Sequence, residues 1–456
     1  MRSPSDKPNM ILVNCDDLGY GDLGCYGSSL NLTPNLDRMA AEGVRCTDFY
    51  MASPVCSPSR GAMMTGCYPR RIGFGSFDDG AWVLFPGHST GLNPAEISIA
   101  RILKEQGYTT ALVGKWHCGD QPEFLPTRHG FDHYFGLPYS NDMGRQAGPP
   151  RDLPPLPLLL DDMVIQQQPD QAALTERYMD ECVRFIRQNQ DQPFFLYFAH
   201  MYVHLPLYAP AEFLNRSRNG AYGACVMGVD WSIGVILHEL QILGLDQNTL
   251  VVFTSDNGSR GDHGGSNAPL RGRKGTTWEG GLRVPCIVRW PGQVPKGSVN
   301  HDLMTAMDML PTFARLAGSQ EPQDRKIDGK DILPCLQGES ESPHASFAYY
   351  IRDDLQAIRS GSWKLHLAVD GKPVRLLYDL KADLSESRDL SVERPEIVTK
   401  LEAIADGYRK DIGDALTGVS GENCRPPGKI KDPQPLTFYD PDYPYIIAEY
   451  DLPDRG

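Results

Sequence analysis

Short apolar runs alternate with longer amphipathic segments along the first 260 residues of the chain. Nearly uniform apolar runs are typical of strands that are buried on both faces of a sheet. They occur at residues 10–13, 108–113, 194–198 and 250–253. Segments with apolar residues at helical spacing predict helices at residues 34–43, 95–106, 172–188 and 223–243. This alternation predicts an α/β fold with a large, mostly parallel central sheet sandwiched by helices.

The ends of the first predicted helix carry typical boundary residues. Thr33 is a favourable N-cap, Pro34 suits the first turn, and Gly43 can end the helix. We therefore expect the Thr33 side chain to cap this helix.

The pattern changes after residue 345, and we predict two domains, 1–345 and 346–456. Residues 358–367 and 375–378, with the turn pair Asp370-Gly371 between them, predict an antiparallel hairpin in a smaller C-terminal α+β domain. A helix at 395–411 is expected to pack on it. Proline-rich residues 148–160 and the tail 424–456 are predicted to be irregular.

Composition excludes several classes of protein. The 456 residues carry 44 Lys+Arg against 58 Asp+Glu, a net charge of −14, which argues against nucleic acid as a partner. The longest apolar run is interrupted by His238, Glu239 and Gln241, so we predict no membrane span. The 11 cysteines include no C-x-x-C pair, which argues against a zinc ribbon or a redox dithiol.

Polar side chains follow the predicted strands, at the edge of the sheet where ligands bind in α/β proteins. Acidic and amide side chains there are hard oxygen ligands that suit Ca²⁺ or Mg²⁺: Asp16, Asp17, Asp256 and Asn257. Cationic and imidazole side chains suited to a tetrahedral anion and to proton transfer accompany them: Arg60, Lys115, His117, His204 and Lys274. The combination indicates a pocket for a sulfate or phosphate ester.

The sequence Cys56-Ser57-Pro58-Ser59-Arg60 resembles the signature of type I sulfatases, in which this cysteine is oxidised to formylglycine. Further stretches resemble the same family in the expected order: Asp16-Asp17, Gly114-Lys115-Trp116-His117, Ser255-Asp256-Asn257-Gly258, the run 272–281, and Leu377-Tyr378-Asp379-Leu380. The family belongs to the alkaline phosphatase superfamily. Gly130-Phe131-Asp132 and Gly265-Ser266-Asn267 are most similar to the arylsulfatase A and N-acetylgalactosamine-6-sulfatase branch.

The resemblance implies a metal site and a set of catalytic residues. Asp16, Asp17, Asp256, Asn257 and an oxygen of the formylglycine at position 56 would hold Ca²⁺, with Mg²⁺ as the alternative. One hydroxyl of the hydrated aldehyde would attack sulfur while Asp256 accepts its proton, and the second would later expel sulfate. Arg60 would steady the hydrate, Lys115 and Lys274 would hold sulfate oxygens, His117 would assist collapse, and His204 would protonate the leaving alcohol.

The resemblance also implies partners. The expected substrate is a sulfated sugar or a small aryl sulfate, and activation requires a formylglycine-generating or anaerobic sulfatase-maturating enzyme. His200 and Arg271 are candidate substrate contacts, the latter for a second anionic group. Arg70 and Arg71 could contact the same group but are expected to face solvent. Loops 129–144, 148–160 and 260–273 are expected to set substrate selectivity. Residues 1–8 contain no apolar export segment. We expect a periplasmic, secreted or otherwise extracytoplasmic protein whose signal lies outside this sequence, and the alternative is a cytoplasmic protein.

Two other functions compete with this interpretation. A phosphate or phosphonate ester hydrolase could use the same nucleophile and metal. A carbohydrate-binding protein that lost catalysis could keep the fold, although it would be expected to have a broken motif.

Overall fold

The computed structural model describes residues 7–145 and 153–438. The described strands are β1 Asn9–Cys15, β2 Val44–Cys46, β3 Phe49–Tyr50, β4 Thr90–Gly91, β5 Thr109–Gly114, β6 His133–Gly136, β7 Pro157–Leu160, β8 Met163–Gln167, β9 Phe194–Ala199, β10 Thr249–Ser255, β11 Cys286–Arg289, β12 Ser298–Asn300, β13 Met304–Thr305, β14 Phe347–Ile351, β15 Asp354–Ser360, β16 Trp363–Val369, β17 Lys372–Asp379 and β18 Gly428–Lys429. The described helices are α1 Pro34–Glu42, α2 Cys56–Thr65, α3 Ile99–Glu105, α4 Gln171–Gln188, α5 Ala211–Arg216, α6 Gly220–Ile242, α7 Glu279–Leu282, α8 Met309–Leu316, α9 Leu333–Leu336 and α10 Pro395–Ile412.

A ten-stranded sheet forms the centre of the molecule, in the order β12-β2-β11-β10-β1-β9-β5-β6-β7-β8. The five strands from β10 to β6 are parallel, and antiparallel pairs flank them on both sides. Alternate residues of β1 enter different cores: Met10 and Leu12 pack on one face of the sheet, and Ile11 and Val13 pack on the other. The predicted α/β sandwich is confirmed, with a mixed sheet whose central strands are parallel.

The predicted central strands and the helices α1, α4 and α6 are confirmed. Two boundaries differ. Helix α3 begins at Ile99 instead of residue 95, because Ser98 is its N-cap and accepts a hydrogen bond from the Arg101 backbone. The irregular loop predicted at 148–160 is wrong for its last four residues, which form β7 because the leucines after Pro157 pair with β6 and β8; residues 146–152 of this loop lie outside the described residues.

The prediction that the Thr33 side chain caps α1 is wrong. The Thr33 hydroxyl accepts a hydrogen bond from the Gly24 backbone instead. The first backbone N–H groups of the helix donate to a carboxylate on α6: Asp230 Oδ1 lies 3.0 Å from Asn35 N and 2.8 Å from Leu36 N. A residue about 195 positions away therefore performs the capping that a local residue usually performs.

The C-terminal part contains a four-stranded antiparallel sheet, β14-β15-β16-β17, and α10 packs its apolar face on it. The predicted hairpin is correct between β16 and β17. Its first strand is wrong, because residues 358–367 span the end of β15 and most of β16, with a turn at Gly361 (φ +59°) between them. Of the tail, residues 424–438 are described, and they return to the large domain, where β18 pairs with β4; residues 439–456 lie outside the description. The division at residue 345 stays a prediction.

A group of buried charges joins the small sheet to the large domain, and we call Glu279, Arg283, Lys364 and Glu386 the junction cluster. Lys364 Nζ lies 3.0 Å from Glu279 and 2.9 Å from Glu386, and all three side chains are fully buried. Arg283 contacts Glu279 at 3.3 Å. Lys364 also donates to the Thr277 carbonyl, so the small sheet holds the loop that precedes α7.

Helix α6 meets the length and apolar composition of a membrane span, but 72% of its most apolar stretch is buried inside the protein. It packs with α1, α4 and α5 on one face of the sheet. This burial is the environment of a core helix.

Candidate active site

Four neighbouring parallel strands, β10, β1, β9 and β5, end at one edge of the sheet. The residues that follow them therefore meet: Asp256-Asn257 after β10, Asp16-Asp17 after β1, His200–His204 after β9, and Lys115–His117 after β5. Asp17 (φ +62°) and His117 (φ +59°) adopt the left-handed conformation, which is uncommon for non-glycine residues.

Cys56 is the first residue of α2 and is 2% exposed. Its Sγ lies 3.3 Å from Asp16 Oδ1 and 3.3 Å from Lys274 Nζ. Arg60 lies one helical turn later, on the same face of α2. Sequence spacing on α2 thus presents both residues to the strand ends.

Three carboxylates and three cations alternate around Cys56. Arg60 Nε lies 2.9 Å from Asp256, Lys274 Nζ lies 2.6 Å from Asp17, and Lys115 contacts Asp16. Lys274 reaches the site because its backbone N–H donates to the Ser259 carbonyl and the next residue donates to Pro54. The structure therefore brings together the predicted metal ligands and the predicted anion-binding residues.

The surrounding charges shift the pKa values in opposite directions. Burial opposes ionisation of Asp16, but Lys115, His204 and Arg60 outweigh it and hold its pKa well below the usual range. Burial and Asp16 raise the pKa of Asp256 to about 6. Burial, Asp16 and Asp256 raise the pKa of the Cys56 thiol, so an unmodified Cys56 is a neutral and weak nucleophile.

The two histidines differ in which nitrogen faces the site. His117 Nε2 lies 3.0 Å from the Leu84 carbonyl and must donate to it, which leaves Nδ1 as an unpartnered buried acceptor. His204 Nδ1 donates to the Leu205 carbonyl, and its Nε2 lies 3.8 Å from Asp17. Burial and Lys115 lower the pKa of His117, and burial and Lys274 lower that of His204.

The donor set fits a hard divalent cation. Asp17 Oδ2 and Asn257 Oδ1 are buried and have no hydrogen-bond partner among the described residues. Ligand atoms of Asp16, Asp17, Cys56 and His204 lie within 4.8 Å of one another. Carboxylate and amide oxygens of this kind are the ligands that Ca²⁺ and Mg²⁺ prefer.

A cavity of about 380 Å³ opens onto Cys56. The two loops expected to set selectivity contribute to its lining, with Ser140, Asp142 and Met143 from residues 129–144 and Arg260, Asp262 and Arg273 from residues 260–273. Ser140 is the most central of them, because its hydroxyl lies 3.1 Å from Lys115 Nζ and 3.3 Å from His204 Nδ1. Trp82, Val83 and Phe85 also line it and were not predicted from the sequence. These three residues lie on a loop that no sequence motif marks.

The other candidate contacts lie elsewhere. His200 is fully buried, its Nδ1 accepts from the Tyr202 backbone, and burial lowers its pKa to about 3. Arg271 does not line the cavity: its guanidinium lies 3.6 Å from the centre of the Trp278 ring and donates to the Glu386 carbonyl. Roles for both in substrate binding stay predictions. The expectation of a solvent-facing Arg71 is wrong, because it is 2% exposed and pairs with Asp328 and Asp411; Arg70 pairs with Asp353.

Comparison with known proteins agrees with this geometry. The Sulfatase family model matches residues 8–319, and the model for the C-terminal region of N-sulphoglucosamine sulphohydrolase matches residues 273–405. Human arylsulfatase A is 38% identical over 91% of this chain and 84% of its own length. Dog N-acetylgalactosamine-6-sulfatase is 42% identical over 79% of this chain and 71% of its own length.

Among solved structures, Ps i-CgsB in complex with k-i-k-neocarrahexaose superposes with a TM-score of 0.80 at 31% identity, and the match covers 91% of this chain and 95% of that one. The family match spans more than half of the chain, and the relatives align over most of their own length. The chain therefore belongs to the sulfatase family and is a hydrolase of sulfate esters.

Proposed function

We propose that this sulfatase acts through residue 56, oxidised from cysteine to formylglycine, with Ca²⁺ bound beside it. The observation that carries the proposal is the position of Cys56 Sγ, 3.3 Å from Asp16 and 3.3 Å from Lys274, inside a buried cluster of oxygen ligands. A hydrated formylglycine supplies two hydroxyls on one carbon, one to attack sulfur and one to expel sulfate.

Asp16, Asp17, Asp256 and Asn257 would hold the cation with an oxygen on residue 56; Mg²⁺ is the alternative. Bound there, the cation supplies positive charge that polarises the sulfate oxygens. The unpartnered oxygens of Asp17 and Asn257 support this assignment, because buried oxygens without a partner are costly.

The cationic side chains would bind the sulfate group. Lys274 Nζ lies 3.3 Å from Cys56 Sγ, and Lys115 contacts Asp16, which itself lies beside Cys56; each lysine would donate to a sulfate oxygen. Arg60 Nη2 is buried without a hydrogen-bond partner, 3.7 Å from Asp16, and would donate to an oxygen on residue 56. Fixed donors of this kind stabilise charge that develops in the transition state.

Three residues would move protons. Asp256 would accept the proton of the attacking hydroxyl. His117 would accept the second proton at Nδ1, since its Nε2 donates to the Leu84 carbonyl. His204, in its doubly protonated form, would give its Nε2 proton to the departing oxygen and keep the Nδ1 proton that it donates to the Leu205 carbonyl.

The substrate we propose is a sulfated carbohydrate or a small aryl sulfate. Relatives named for aryl sulfates and for a sulfated amino sugar support this range. Conversion of Cys56 would require a formylglycine-generating or anaerobic sulfatase-maturating enzyme. An extracytoplasmic location stays a prediction.

Mass spectrometry of the peptide that contains residue 56 tests the activation. We expect a mass about 18 Da below that of the thiol form, as for a cysteine converted to an aldehyde. Cys56→Ala and Cys56→Ser should each abolish turnover of p-nitrophenyl sulfate, because neither can provide two hydroxyls on one carbon. Cys424→Ala, at an exposed cysteine, is the matched control and should keep wild-type turnover.

Near-native turnover in Cys56→Ala would refute the proposed nucleophile. Faster hydrolysis of p-nitrophenyl phosphate than of p-nitrophenyl sulfate would favour the phosphate ester alternative.

A further inference from the structure

The active-site cavity extends from a buried floor to an exposed rim. Cys56 and His117 are 2% and 1% exposed, whereas Trp82, which lines the same cavity, is 40% exposed. The sulfate-binding lysines lie at the floor. The part of the substrate that leaves with the alcohol must therefore occupy the rest of the cavity.

Asp142 and His204 line the same cavity. Asp142 comes two residues after Ser140, whose hydroxyl lies 3.3 Å from His204 Nδ1. The 3₁₀ turn Asn141–Met143 is held in place because Asn141 donates to the Gln171 side chain at 2.9 Å and to the Pro206 carbonyl at 3.1 Å. Asp142 is thus fixed near the proposed proton donor to the leaving group.

Asp142 Oδ1 is buried, yet it has no hydrogen-bond partner among the described residues. A buried polar atom left unpaired costs free energy, and because Asp142 also lines the cavity, its free oxygen is a candidate partner for a ligand group. A carboxylate only accepts hydrogen bonds, so the ligand must donate one. Its negative charge repels a sulfate group, which assigns Asp142 to the leaving group.

Trp82 supplies an aromatic surface beside the same cavity, and the Arg352 guanidinium lies over its ring, 5.8 Å from the ring centre. Its ring packs against the loop that carries Lys274: the Cη2 and Cζ3 atoms lie 3.1 Å from the position that a Cβ on Gly275 would occupy. An aromatic surface next to a hydrogen-bond acceptor suits a ring that has apolar C–H faces and hydroxyls at its edge. A plain aryl or steroid group would cover Trp82 but would leave Asp142 without a donor.

We propose that the leaving group is a sugar whose ring lies on Trp82 and whose hydroxyl or amide group donates to Asp142. This inference rests on the proposed function. It makes Trp82 and Asp142 the residues that select a sulfated sugar over a sulfated phenol or sterol.

The test compares two kinds of substrate. The fully matured enzyme is assayed with p-nitrophenyl sulfate and with the 6-sulfates and 4-sulfates of galactose, N-acetylgalactosamine and glucosamine. We expect kcat/KM to be higher for at least one sugar sulfate than for p-nitrophenyl sulfate. If the enzyme hydrolyses p-nitrophenyl sulfate and no sugar sulfate gives a higher kcat/KM, the sugar assignment is overturned. If enzyme that contains formylglycine hydrolyses no sulfate ester at all, the proposed function is refuted instead.

Variants then locate the selectivity. Asp142→Ala should lower kcat/KM for the best sugar sulfate by about 10- to 100-fold more than for p-nitrophenyl sulfate, as expected for a lost hydrogen bond to a charged group. Asp142→Asn keeps an acceptor oxygen and should lose less. Asp191→Ala changes an exposed carboxylate just before β9, at the opposite edge of the sheet, and is the matched control. Equal losses on both substrates in Asp142→Ala would assign it a structural role and overturn the proposal.

Substitutions that remove or keep the aromatic ring test the role of Trp82. Trp82→Ala should raise KM for the sugar sulfate, and Trp82→Phe should restore most of the affinity. Equal KM values in Trp82→Ala and wild type would remove Trp82 from the proposed subsite. Thermal unfolding of each variant separates these effects from loss of the folded state.

Discussion

The molecule buries two groups of charged side chains, and they differ in how completely they satisfy one another. In the junction cluster, no buried nitrogen or oxygen of its four side chains is without a partner. Around Cys56, by contrast, Asp17, Asn257, Arg60 and His117 each keep a buried atom that lacks a hydrogen bond within the described chain. A closed network joins parts of the fold, whereas an open one is prepared for groups that the protein itself does not supply.

The largest effect is expected on stability, when a substitution breaks the closed network of the junction cluster. Lys364→Met removes the cation shared by Glu279 and Glu386 and leaves both carboxylates buried, so we expect the free energy of unfolding to fall by about 3–5 kcal/mol. Denaturant unfolding measures this change. Arg388→Met breaks an ion pair whose side chains are 71% and 56% exposed, and as a control it should change stability by less than about 0.5 kcal/mol. Similar small changes in both variants would show that the junction cluster does not hold the domains together.

The next largest effect is expected on activity, when a substitution breaks the open network around Cys56. Lys274→Met removes a proposed donor to the sulfate group, so kcat/KM for p-nitrophenyl sulfate should fall about 10²- to 10³-fold. Because this side chain is 14% exposed, its stability cost should be smaller than that of Lys364→Met. Lys296→Met, at an exposed lysine, is the control for activity. Near-wild-type kcat/KM in Lys274→Met would contradict its proposed contact with sulfate.

The third effect concerns acid. Burial and Lys364 lower the pKa of His366 to about 4, against an unfolded value near 6.5. As the pH falls below 6.5, the unfolded chain takes up this proton first, so His366 removes stability between pH 6.5 and 4. His366→Gln keeps a donor to Glu386 but cannot take up this proton. Between pH 7 and pH 4.5 its free energy of unfolding should therefore fall by about 2–3 kcal/mol less than that of the wild type. Parallel stability–pH curves from chemical denaturation would contradict this assignment.

The smallest effect is expected from a residue that lies between the two networks. Arg271 stacks on Trp278 and donates to the Glu386 carbonyl, so Arg271→Ala should cost about 1 kcal/mol of stability and change kcat/KM less than about threefold. Steady-state kinetics and thermal unfolding measure the two quantities. A tenfold loss of kcat/KM on a sugar sulfate with unchanged stability would instead support the predicted anion contact.

The sequence predicted the floor of the site because its residues are tied to regular structure. Asp16 and Asp256 come directly after neighbouring parallel strands, and Cys56 and Arg60 lie one helical turn apart. Strand order and helical spacing then bring the residues together without any long-range information.

The rim of the site could not be predicted in this way. Asp142 is placed by a turn whose anchor, Gln171, lies 30 residues further along the chain. Arg271 and Arg273 lie two residues apart, and only Arg273 lines the cavity, because Gly272 between them adopts φ +85°. Loop conformation decides such positions, and one sequence carries little information about it. The turn at Gly361 was not predicted for the same reason. Apolar residues lie on both sides of it, so the sequence there has the pattern of one continuous strand.

The burial of Cys56 has a consequence for how active protein is made. Cys56 is 2% exposed at the buried start of α2, so its sulfur cannot enter the catalytic centre of another enzyme while the chain is folded. The proposed conversion of Cys56 would therefore take place on a nascent or unfolded chain and would compete in time with folding. Chains that fold first would remain permanently inert, so the specific activity of a preparation would record which process was faster during its synthesis.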